Sequence, residues 1–268
     1  MQGNNVLQSV FYKNCMEFLI KFYGINPYYL LSVEILAFLG FYFFLSLPQN
    51  KRKQTFYLLP FTIVSLIFVY EHLGTVTIIF KELNGVVYDN LYPNHSRDLY
   101  NVWVYNIFSN QIGCVLYLLL LRYHIKSPKK KKIITILIGF IVSIALVLEV
   151  SGMLPIVDSQ PTIFFLFFGS NIIASGIYFI DLLTSPDYLD INPLEQFSFW
   201  QATFILFYFS MIFLIQVAFN YLWANYPDLL TSLYHFPRIL SILSSVTLVA
   251  TLASYKLKWK SDKQLIYV

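Results

Sequence analysis

Long apolar blocks separated by short polar or proline-bearing joints make up most of this chain, and that pattern fixes its architecture before any single residue does. The blocks run over residues 27–47, 55–80, 102–121, 133–155, 162–183, 197–221 and 238–255. A hydrocarbon layer of about 30 Å is crossed by roughly 20 apolar residues in an α-helix, so each block is long enough to span it. Membrane strands would need shorter segments of alternating character. The pattern therefore predicts an all-α, polytopic transmembrane helical bundle of seven spans.

The remaining segments divide around that bundle. Residues 6–23 place Val6, Val10, Phe11, Phe18 and Leu19 near helical spacing but mix them with Lys13, Glu17 and Lys21. Such a mixture suits a helix lying in the membrane interface, and its charges break up any signal-peptide core. The predicted organisation is an interfacial segment over 1–26, a membrane domain over 27–255 and a basic tail over 256–268. Residues 81–100 read as a polar loop because Asn84-Gly85 and Pro93-Asn94 are turn signals. Pro60, early in the second block, marks a kink or a first helical turn.

Charge sets an orientation. Thirteen of the 18 Lys and Arg residues fall on one side if the N-terminus is outside, in the first joint, in the run Arg122 to Lys132 and in the tail. The positive-inside rule then predicts an N-out, C-in bundle. That clustering also accounts for the formal net charge of +4, so no nucleic-acid partner is invoked. The lysine run reads as a topology anchor, with anionic lipid as its secondary contact.

Composition agrees with the block pattern. The 268 residues are 57% apolar and 12% charged, against about 25% charged in soluble domains. No polar stretch is large enough for a separate soluble domain, so any chemistry sits among the helices or in their short connections. The two cysteines, Cys15 and Cys114, have no metal-ligand spacing, and phosphate-loop, zinc-protease and nucleophile-elbow motifs are absent. No cofactor or metal is expected, and no catalytic residue is assigned.

Ionisable groups inside membrane spans are costly, about 2.5 to 3.5 kcal/mol each near mid-bilayer on insertion scales, and so count as functional candidates. Glu34, Glu71, His72 and Glu149 are the principal ones, and all fall in the half predicted to be extracytoplasmic. Asn106, Asn110 and Gln111 open the third block at the same depth. These positions predict a polar cavity open to the outside and lined by Glu34, Glu71, His72, Asn106, Asn110 and Glu149. Glu71 and His72 are adjacent, so their side chains diverge by about 100° on a helix and cannot both face one site squarely. For Glu149, Gln216 and Asn220 the competing structural reading, in which polar side chains join helices or reach the headgroups, carries more weight.

Short aromatic elements carry a resemblance. Glu71-His72-Leu73-Gly74, then Trp103-Val104-Tyr105-Asn106-Ile107-Phe108, then Pro193 followed by Phe199-Trp200, resemble a set of uncharacterised multi-pass membrane proteins from Bacteroidota. The likeness covers the second to sixth blocks and implies a helical protein of the bacterial inner membrane. Members carry an acidic residue six positions after the asparagine that maps onto Asn106, where this chain has Ile112.

Three functional classes follow. The leading one is a sensory or receptor-like component that binds a small ligand or lipid from outside and signals through a separate cytoplasmic or membrane partner. The alternatives are a proton-coupled transporter or intramembrane enzyme using Glu34, Glu71 and His72, and a structural or assembly subunit of a membrane complex. An odd helix count without an internal repeat disfavours the common secondary-transporter plans.

Overall fold

The computed structural model describes residues 24, 27–91, 101–188 and 192–257. Among the described residues every regular element is helical, and seven helices are long and apolar enough to cross a membrane. They are Pro27–Leu45, Thr55–Ile79, Val102–His124, Pro128–Val150, Pro161–Thr184, Phe197–Asn225 and Pro227–Ala253, hereafter the first to seventh spans. The expected interfacial helix over 6–23, the Pro93-Asn94 turn signal and the tail beyond residue 257 lie outside the described residues.

Three boundaries differ from the sequence reading, each for a local reason. The expected loop after the second span begins as a helix, Lys81–Leu91. Asn84, read as half of a turn signal, is fully buried and donates to the Thr77 carbonyl at 2.9 Å while accepting from the Trp103 indole at 3.0 Å. Those two contacts tie the end of the second span to the start of the third. The fourth span starts at Pro128 instead of residue 133, because Pro128 supplies a first-turn residue with its φ already set. Lys129 to Lys132 therefore form its first turn. The seventh span starts at Pro227 instead of residue 238, with a short helix, Pro227–Leu233, leading into its main helix, His235–Ala253, which has Pro237 in the first turn.

The seventh span packs on the first, second and sixth, and the fifth on the third and sixth. Among the described residues the fourth packs mainly on the third and fifth. Burial follows that order, with 56% of the apolar window buried in the seventh span and 17% in the fourth. The fourth span is thus the peripheral helix, and its exposed Ile133, Ile136, Phe140, Leu146 and Val147 form a surface suited to lipid chains. One apolar core, which includes Leu118, Leu121, Phe167, Ala174, Ala202 and Leu248, joins all seven spans, the fourth through Ile134, Ile141 and Ala145.

Candidate functional site

A cavity of about 370 Å³ opens in the half of the bundle that contains the start of the first span and the end of the second. Its wall is built from helical repeats. The second span contributes Glu71, Thr75 and Ile78, the sixth Tyr208, Ile212 and Gln216, and the seventh Tyr234, Arg238 and Ser241. Spacings of three and four residues place each set along one helix face. The first span adds Tyr29 and Leu30, and the fifth adds Phe168.

The third span reaches the wall through a change in winding. Tyr105–Gly113 is a π-helix, with backbone bonds closing over five residues, so Tyr105 is followed on the same wall by both Ser109 and Asn110. Tyr105 is also held from the other side. A Cβ on Gly74 would lie 2.7 Å from its hydroxyl, so only glycine lets the ring sit where it does. Beneath the main cavity a void of about 20 Å³ shares Tyr70, Ser109, Asn110 and Tyr208 and ends at Tyr117 and Phe209.

Two charged side chains face this space. Glu71 accepts a hydrogen bond from the Tyr29 hydroxyl at 3.0 Å, and its carboxylate has acceptor sites beyond that one. Arg238 is exposed, lies near the beginning of its helix and lines the same cavity as Glu71. Five tyrosines, Tyr29, Tyr70, Tyr105, Tyr208 and Tyr234, complete the polar lining together with the amides of Asn110 and Gln216.

The six residues grouped by depth in the sequence are therefore separated in the structure. Glu71 and Asn110 line the cavity. Glu34 and His72 pair with each other on the first and second spans, with Nε2 to Oε1 at 3.1 Å, and neither lines the cavity. His72 Nδ1 donates to the Phe68 carbonyl at 2.7 Å, since a carbonyl can only accept. Asn106 is buried and donates to the Ile156 and Asp158 carbonyls at 2.7 and 2.8 Å, fastening the third span to the turn before the fifth. Glu149 accepts from Gln111 at 2.5 Å and Gln160 at 3.0 Å, joining the third and fourth spans to that same turn.

No family model, curated protein or solved structure matches this chain. Its functional reading rests on its own residues.

The opposite half of the bundle holds a different kind of polar group. Asp181 is completely buried, accepts from the Lys126 backbone N–H at 2.6 Å and pairs with Lys130 at 3.1 Å. His124 bonds Gln201 at 2.7 Å, and Gln201 donates to Thr251 at 2.8 Å. The Tyr188 hydroxyl donates to the His124 carbonyl at 2.7 Å. These contacts lock the connections at this end. No three His, Cys, Asp or Glu side chains among the described residues are grouped as metal ligands would be.

Sequence reasoning missed Tyr29, Tyr208, Tyr234, Arg238 and Ser241. Gln216 reads in sequence as a residue that joins helices. The signal was present in the 234, 238, 241 and 208, 212, 216 repeats, but an apolar span has several such faces and the inward one is set by packing.

Proposed function

We propose that this chain is a receptor-like component of a bacterial inner membrane that takes a small ligand, or the polar head of a lipid, into the cavity and passes the change to a separate partner. The observation that carries the reading is a cavity of about 370 Å³ to which six of the seven spans contribute side chains. Ligand sites are concave, mostly preformed and of about 300–1,000 Å³, with a few convergent polar groups on an apolar lining. A ligand touching six helices can bias their relative positions, which is what a receptor requires. The basic-residue bias supports an N-out orientation, and in that orientation the cavity faces the extracytoplasmic side. Signalling through a separate partner fits a chain whose connections are too short to hold an effector domain.

The test is ligand-dependent stabilisation of the protein purified in detergent. A fraction of a small-molecule or lipid extract should raise the unfolding midpoint of the wild type. The same fraction should have no effect on Ile212→Trp or Ser241→Leu, which fill the cavity from different helices. A protein that responds to no fraction, yet moves solutes in proteoliposomes, would overturn the receptor reading in favour of transport.

A further inference from the structure

The charges and rings of the cavity wall narrow its ligand further, on the premise that the cavity is a receptor site. Glu71 lies eight residues before the end of its span at Ile79, about 12 Å along the helix axis. Around the same space stand five tyrosines, whose ring faces carry negative potential and attract cations. A carboxylate among tyrosines is a setting for an ammonium group. Arg238 lies at the exposed beginning of its helix and is the guanidinium of the cavity wall. Guanidinium pairs with carboxylate or phosphate through paired N–H donors.

We infer that the cavity takes a zwitterionic ammonium compound, with its cationic end beside Glu71 among the tyrosines and its anionic end at Arg238. Charge balance supports this class over simpler ions. A bare cation meets Arg238, a bare anion meets Glu71, and either leaves a net charge in a site walled by membrane spans, where uncompensated charge is costly. A zwitterion aligned with the wall leaves none. The same ammonium–anion chemistry occurs in free betaines and amino acids and in zwitterionic phospholipid heads.

Thermal unfolding of the delipidated full chain in detergent tests the assignment with isosteric probes. Glycine betaine carries both charges, choline only the cation, and 3,3-dimethylbutanoate only the anion on the same skeleton; L-leucine adds a primary ammonium zwitterion. Either betaine or leucine should raise the midpoint by about 3 °C at ten times its dissociation constant, and the single-charge probes should do less. In Glu71→Gln the zwitterion response should disappear. In Arg238→Gln the zwitterion should lose its advantage over the matching cation, a result that general destabilisation would not produce. Glycerophosphocholine and dihexanoylphosphatidylcholine separate the sources: a response to the lipid alone assigns a lipid head, and a response to the free zwitterions assigns a soluble ligand. Silence of all four zwitterions, or 3,3-dimethylbutanoate matching betaine, overturns the class. If neutral sugars instead stabilise the wild type and not the cavity-filled variants, the zwitterion assignment falls while the receptor reading stands.

Discussion

Removing Lys130 should damage this protein more than removing the buried carboxylate that it pairs with. Asp181 is fully buried, whereas the Lys130 side chain keeps 22% of its surface exposed and also donates to the Thr184 hydroxyl at 2.7 Å. In Lys130→Ala the Asp181 carboxylate stays buried with the Lys126 N–H as its donor. Stripping the partner from a buried charge costs about 3–5 kcal/mol. In Asp181→Ala the lysine can swing its ammonium toward headgroups and water. The loss is then mainly two hydrogen bonds, about 1–3 kcal/mol together.

The double variant removes the charge that Lys130→Ala strands, so it should be more stable than Lys130→Ala alone. Unfolding midpoints in detergent resolve this order, since 1 kcal/mol moves a chain of this size by about 2–4 °C. The reasoning is refuted if Asp181→Ala is the more damaging single change, or if the two losses simply add in the double variant.

Other expectations follow from the same contacts. Asn106→Ala deletes donors to the Ile156 and Asp158 carbonyls and should cost about 1–3 kcal/mol, seen as a lower unfolding midpoint and faster proteolysis in the turn before the fifth span. Gly74→Ala, though alanine favours helix by about 1 kcal/mol, should lower stability because its Cβ would lie 2.7 Å from the Tyr105 hydroxyl; an increased midpoint would contradict the packing at Gly74. Gln201→Leu breaks the His124–Gln201–Thr251 chain and should cost about 2–3 kcal/mol, seen as a lower unfolding midpoint. Labelling of single cysteines at Ser127 and Tyr255 in intact cells and in inverted vesicles should place both on one face, and opposite faces would refute the seven-span topology.

Helix existence was legible because lipid leaves little choice: an unbroken apolar block must satisfy its own backbone bonds, and only a helix does so within one segment. All seven spans appear, with most ends displaced by only a few residues. What failed was anything decided between segments. Asn84-Gly85 is a turn signal only while Asn84 has no better partner, and Thr77 and Trp103 supply one from neighbouring elements. Candidate site residues were chosen by depth, which a hydropathy pattern gives, but a site also needs a shared azimuth. Hence Glu71 and Asn110 meet at one wall while Glu34, Asn106 and Glu149 make other contacts at similar depth. The divergence of Glu71 and His72 was legible because adjacency alone fixes their angle.

The two polar ends of the bundle are built for opposite tasks. At one end the polar side chains enclose space, and the Asn110 and Gln216 amides face it. At the other they are spent on one another, with Asp181, Lys130, His124, Gln201 and Thr251 in direct contacts. On the proposed receptor reading the two ends must be connected; the third, fifth, sixth and seventh spans reach both, and the seventh is the most buried of them. Arg238 and Ser241 stand in the cavity wall, and Thr251 receives the Gln201 bond ten residues beyond Ser241, about 15 Å along a helix. Over that length Ser244, Ser245, Thr247 and Leu248 are buried against the neighbouring spans. A close-packed helix moves as a body more readily than it deforms. A displacement of Arg238 by ligand would therefore reach the His124–Gln201–Thr251 chain as a shift of the whole helix. If the proposed receptor role holds, that geometry favours signalling by rigid-helix movement over a route carried by loops.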